Sequence, residues 1–259
     1  MHAIPEDERH RIHSEYTAQS KDDILLYLGK QDVSVPARTG GRTPQHCERR
    51  TAFRLIATWA AENLLEYPLQ ITHQDKPDFL LCYQGHQIGV EVTEAVSEEW
   101  AATDALAEQM DKVVPLLQDQ FKRGTPKRTA AQRRELLENQ SHGPGWGDFG
   151  MDREWAASMM DCIFRKTRSL SRSGFTKCEK NLLLIYDNLP AFRLPRPQPI
   201  DYLIEELKPY FAEQLRYDGI LIDSVGELLE FYPDGHQIHP IVDLWDQQKR
   251  PPDSAEFVD

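Results

Sequence analysis

The chain has 259 residues, 42 acidic against 30 basic, a formal net charge of −12 and 40% hydrophobic residues. That is enough apolar material for one large domain or two small ones, and the negative balance argues against a protein that coats nucleic acid over its whole surface. No apolar run approaches the roughly 20 residues of a membrane span, and the charged start MHAIPEDERHRIHSEY lacks an apolar signal core. A cytoplasmic chain with no membrane partner is therefore expected. Cys47, Cys82, Cys162 and Cys178 are scattered with no C-x-x-C pair, which fits reduced thiols better than a disulfide frame or a zinc site.

Residues 1–20 are polar and are expected to be loosely held. KDDILLYLGK (21–30) predicts a short helix ending at Gly29, and VPARTGGRTP (35–44) a turn-rich connector. A strong helix is predicted over 44–65, where Ala52, Leu55, Ile56, Trp59 and Ala60 keep helical spacing. Glu48, Glu62 and Glu66 fall near that same stripe, which is less expected of acids than the open face. Two strands follow, at 79–83 and 88–93, joined by the turn Gln84-Gly85-His86-Gln87. Residues 98–121 predict a helix, and 122–150 an interruption ending in SHGPGWGDFG, a surface loop or a lid over a site. A second helix is predicted over about 152–171, followed by LLLIY (182–186), a continuous apolar run typical of a strand covered on both faces. The proline-rich linker NLPAFRLPRPQP, a helix at 200–215, strands at 219–223 and 228–232, and a disordered tail QQKRPPDSAEFVD complete the chain. The pattern predicts an α/β fold, one mixed sheet flanked by helices. It divides into an extension over 1–43, a domain over 44–245 with an insertion near 122–150, and a flexible tail over 246–259.

Charge is unevenly placed. Residues 121–134 carry six basic residues and no acid, and residues 165–180 carry six more against one acid. Two basic stretches on an acidic body could form a phosphate-binding face, although a solvated surface is the commoner meaning of such runs.

The chemistry concentrates in 77–93. Asp78 follows Pro77 at the mouth of one apolar run, and Glu91 sits among valines in the next. Strand alternation points Glu91 and Thr93 one way, Val90 and Val92 the other. An acid among valines is costly unless a charge or a metal meets it, and a divalent cation shared with Asp78 is the simplest answer. Pro77-Asp78, then Glu91-Val92-Thr93 after twelve intervening residues, with Glu48 on a helix thirty positions upstream of Asp78, resembles the PD-(D/E)XK nuclease superfamily, whose pattern is Pro-Asp, a gap, Asp/Glu, any residue, Lys. The resemblance covers about 44–190 and implies a restriction-endonuclease-like core that binds Mg²⁺ or Mn²⁺ through Asp78 and Glu91. It also implies Glu48 as the helix glutamate, with Glu62 in reserve. Thr93 stands where the superfamily carries lysine. A hydroxyl supplies no positive charge, so the lysine has either moved, to Lys166 or in reserve Lys180, or the site only binds nucleic acid.

The resemblance implies a metal-dependent endonuclease acting on DNA, with roles in phage defence, mobile elements or DNA repair, working as a homodimer or with a partner subunit. The rival expectations are a catalytically degenerate subunit that binds nucleic acid or a protein, and, less favoured, an acidic DNA mimic. Blander roles exist for each residue: Asp78 as a turn cap, Glu91 paired to Arg54, Glu48 as an ordinary first-turn acid and Lys166 as a solvated lysine. Asp187 and Asp223 end apolar runs, and His236-x-x-His239 makes only a weak zinc pattern.

Overall fold

A computed structural model describes residues 15–112, 114, 121, 123–139, 150–189 and 198–245. Within them the protein is α/β, with one open mixed sheet of eight strands and six helices. In chain order the elements are β1 (Glu15–Ala18), α1 (Lys21–Gly29), α2 (Pro44–Ala61), β2 (Leu69–His73), β3 (Phe79–Tyr83), β4 (His86–Ala95) and α3 (Glu98–Gln109). They continue with α4 (Ala130–Asn139), α5 (Gly150–Thr167), β5 (Lys180–Asp187), α6 (Gln198–Ala212), β6 (Gly219–Ser224), β7 (Glu227–Tyr232) and β8 (Gly235–Pro240). The strands lie side by side in sequence order. β4, β5 and β6 run parallel, while β1–β4 and β6–β8 are antiparallel arms.

Leu182–Ile185 of β5 are all buried, as the continuous apolar run predicts. Leu182 and Leu184 join a core with α1 and α2 on one face of the sheet, whereas Leu183 and Ile185 join a second core with α5 and α6 on the other. A strand sandwiched in this way needs apolar side chains on both faces. α3 and α4 share a smaller cluster around Leu136 and Leu137.

The helix predicted at 44–65 begins with Thr43 as its cap and Pro44 at the first position. His46 Nδ1 accepts the Thr43 N–H at 3.1 Å, in the place a glutamate usually takes in a capping box. The helix stops at Ala61, because Asn63 turns left-handed at φ 59°. The predicted 98–121 helix likewise ends at Gln109, ahead of Asp111 at φ 50°.

Four elements went unpredicted. β1 has four residues, β8 is exposed over most of its length, and α4 buries only Leu136 and Leu137, so none has strong periodicity. β2 does alternate buried and half-buried positions, but LQITH is too short to stand out. α4 lies inside the expected interruption at 122–150. The stretch 15–43, expected within an extension, supplies β1 to the sheet and Ile24 and Leu28 to the first core. The glycine-rich run 141–149, residues 1–14 and the tail from 246 lie outside the described residues, and so does most of the proline-rich linker. Among the described residues no helix is long and apolar enough to cross a membrane.

Leu184 is fully buried in the central strand. Leu184→Ala should cost about 2–5 kcal/mol, read as a lower urea midpoint with an unchanged denaturant slope.

Candidate active site

β3 and β4 form a tight hairpin. Tyr83 pairs with His86, leaving Gln84 and Gly85 as a two-residue turn with φ of 48° and 88°, the geometry that matches strand twist. The last pair of the ladder is Phe79 with Val90. Beyond Val90, β4 runs on to Ala95 with β5 on one side and, among the described residues, no strand on the other. Continuing the register by one residue sets Asp78 opposite Glu91, on the same face of the sheet. Asp78 Oδ2 accepts the Val92 N–H at 2.6 Å, so the side chain caps the first backbone donor that β3 leaves behind. Gly89 makes room for this: a Cβ there would lie 2.8 Å from Pro77 Cγ.

Both acids are buried, with Asp78 8% and Glu91 5% exposed. Burial, then the charges of Glu91 and Glu48, push the Asp78 carboxyl up from 3.8 to about 8, against the opposing pull of the Val92 N–H and Lys166. Asp78 and Glu91 thus stand at neighbouring positions of adjacent segments, and the charge of Glu91 acts on the Asp78 carboxyl.

Lys166 enters from the last turn of α5. Its Nζ donates to Glu91 Oε1 at 2.8 Å, and its side chain is 25% exposed. The ammonium missing at Thr93 is thus present beside Glu91, brought by a helix instead of the strand. A chain of hydroxyls fixes that turn. Tyr217 Oη donates to the Lys166 carbonyl at 3.3 Å, Tyr210 Oη accepts the Tyr217 N–H at 2.9 Å, and Thr167 Oγ1 lies 3.0 Å from Tyr210 Oη. Lys180, the reserve, instead sits over the Tyr232 ring at 4.5 Å.

A cavity of about 370 Å³ opens along the free edge of β4. Val92, Thr93, Glu94, Lys166 and Tyr186 form one wall, and Glu48, Thr51 and Cys47 of α2 another. Glu48 also lies 3.9 Å from His73 Nε2. Glu62 is exposed at the far end of α2, about 20 Å away at 1.5 Å per residue. It cannot replace Glu48.

Sequence reasoning passed over Arg38 and Arg42, which complete the cavity. Both reach Glu94 Oε1, at 3.4 and 2.8 Å. The available signal was Arg38-x-x-x-Arg42 around a glycine pair, just before a capped helix, a layout suited to anions.

The basic stretches behave differently from a free phosphate grip. Arg128 and Arg133 hold buried Glu99, Arg123 pairs with Asp161, and Lys127 pairs with Glu98. Much of the 122–134 charge is thereby met within the fold. In 165–180, Lys166 serves Glu91 while Arg168, Arg172 and Lys177 are exposed. Arg54 pairs with Asp223 and Asp243, not with Glu91. Asp187 accepts the Trp155 indole N–H at 2.8 Å and the Ser224 hydroxyl at 2.5 Å. His236 and His239 are three apart on β8, so strand alternation sends them to opposite faces and they cannot share one zinc ion.

The donor set suits a hard cation. Glu91 Oε2 is buried without a hydrogen-bond partner, and Asp78 spends only Oδ2 on Val92. Magnesium commonly takes one or two carboxylates and keeps several waters. Among the described residues no group of three or more His, Cys, Asp or Glu is arranged to hold a metal; the pair that could hold one is Asp78 and Glu91. Compared with known protein families, curated proteins and solved structures, the chain matches none.

The raised Asp78 value fixes the sign of a pH effect. The folded chain keeps a proton that the unfolded chain releases between about pH 4 and 8, so stability falls as pH rises through that window. Asp78→Asn keeps an acceptor for Val92 and removes the repulsion. It should flatten that fall and raise the urea midpoint at pH 8. Gly89→Ala should push Pro77, and Asp78 with it, out of place. A cost of about 1–3 kcal/mol, read as a lower urea midpoint, is expected.

Proposed function

We propose that the chain is a metal-dependent nuclease with a PD-(D/E)XK-type, restriction-endonuclease-like core, hydrolysing phosphodiester bonds of DNA. The observation that carries this reading is the buried carboxyl of Asp78 set opposite Glu91, with the Lys166 ammonium on Glu91. Two buried acids sharing one ammonium are a liability to a fold, and a functional cleft is where such a cost is commonly met.

Mg²⁺ or Mn²⁺ held by Asp78 and Glu91 would activate water and offset charge on the phosphate. The chain's own groups divide the remaining work. Lys166 can donate to negative charge developing on a phosphate oxygen, as a fixed ammonium in a partly dry cleft. Glu48, on the facing wall, can accept hydrogen bonds from water. Thr93, next on the same face of β4 as Glu91, can donate or accept through its hydroxyl. The free edge of β4 leaves the entrance clear of a neighbouring strand.

The degenerate reading stays as a second one for two reasons: Lys166 already occupies Glu91 Oε1, and among the described residues no group of three or more His, Cys, Asp or Glu is arranged to hold a metal. In that case the chain would bind nucleic acid or a partner subunit without cutting. Roles in phage defence, mobile elements or repair suit either, in a homodimer or with a second subunit.

With Mg²⁺, cleavage of supercoiled plasmid, linear duplex and single-stranded DNA should be detectable, and Asp78→Asn or Glu91→Gln should lower it by at least ~10²-fold while the melting transition persists. Undiminished cleavage by both variants would refute the assignment. Carboxylate-dependent Mn²⁺ binding without any cleavage would favour the second reading.

A further inference from the structure

The cavity beside the acid pair has a chemistry that the carboxylates alone do not explain. Arg38, Arg42 and Lys166 project into it, together with the hydroxyl-bearing Thr43, Thr51 and Thr93. Glu48 and Glu94 are its acids. Arg38 and Arg42 are only 16% exposed at the side chain. Glu94 is an economical partner for them. Arg38 Nη2, Arg42 Nη2 and Asn188 Nδ2 all converge on its single Oε1. Each guanidinium gives Glu94 one N–H, not the two-pronged fork that saturates an arginine–carboxylate pair. Among the described residues their further side-chain contacts are Arg38 Nε to Asp104 at 3.0 Å and Arg42 Nε to Cys47 Sγ at 3.2 Å, the latter a weak acceptor. α2 adds to the field. Thr43 and Pro44 line the cavity, and the first turn of that 18-residue helix holds no acid, so the positive end of its dipole is not offset there.

Tetrahedral oxyanions are what such a set fits: planar forks for two oxygens, an ammonium and hydroxyls for the others. We propose that the cavity is a phosphate subsite in which Arg38 and Arg42 turn from Glu94 to a phosphate of the nucleic-acid strand, one position away from the bond held at Lys166 and Glu91. Glu94 is the resident stand-in: its carboxylate keeps both arginines extended into the cavity and is displaced when phosphate arrives. The proposal rests on the nuclease reading for the identity of the strand, but phosphate capture itself requires neither a metal nor cleavage.

The test is therefore run in EDTA. Binding of a fluorescein-labelled 12-nucleotide DNA is followed by anisotropy, with inorganic phosphate as competitor and a melting curve for every variant. Arg38→Gln and Arg42→Gln should each weaken binding about tenfold, and Arg42→Lys, which keeps charge but not the fork, should fall between. Glu94→Gln retains an acceptor oxygen yet lifts the competing charge, so it should tighten binding by severalfold. That opposite sign separates the subsite from a strap that merely ties the connector to β4. A strap predicts a lower melting temperature and no gain in affinity for Glu94→Gln. Unchanged or weaker binding by Glu94→Gln, or full binding by a folded Arg42→Gln, would overturn the proposal. Oligonucleotides ending in 5′-phosphate or 5′-hydroxyl, and a circular single strand, tell a terminal phosphate from an internal one. If cleavage is absent but these binding shifts occur, the nuclease reading fails and the subsite stands; if cleavage occurs without them, the reverse holds.

Discussion

One hydrogen bond organises the centre of this molecule: the Val92 N–H donating to Asp78 Oδ2. β3 stops pairing at Phe79, one residue short of Glu91. A bare backbone donor at a sheet edge needs an acceptor, and Asp78 supplies it at the cost of standing beside a second buried carboxylate. The proton that Asp78 holds to about pH 8 follows from that placement. Gly89 follows as well, since Pro77 must lie against β4 for Asp78 to reach Val92. The second carboxylate, Glu91, is met by the Lys166 ammonium from α5.

The acid pair was legible because strand alternation is a short-range rule. Two-residue periodicity in Ile88–Thr93 and a proline–aspartate at the start of the preceding run give the face and the spacing without knowledge of the fold. The sandwiched central strand was legible for the same reason, since LLLIY has no polar position to turn outward. Lys166 lies 75 positions from Glu91; only the resemblance to a nuclease pattern with a wandering lysine pointed to it.

Arg38 and Arg42 were lost in a segment that reads as turn chemistry. Glycines and a proline dominate ARTGGRTP, and the acid they converge on arrives more than fifty residues later. Local composition also misled in the opposite direction. The 122–134 run reads as a phosphate grip until the fold brings Glu98, Glu99 and Asp161 to it. Ion pairing of this kind depends on packing between α3, α4 and α5, and no one-dimensional charge count contains it. The short edge strands escaped for lack of burial: β8 is exposed nearly throughout and carries little pattern.

The cleft exists because β3 is five residues long while β4 is ten. The entrance lies where a neighbouring strand ends early. Two or three more paired residues on β3 would seal the doorway with ordinary ladder bonds, and the Val92 N–H would then go to the β3 backbone in place of Asp78 Oδ2. Access in this architecture is thus set by a strand length, a quantity that insertion or deletion can alter without touching one charged residue.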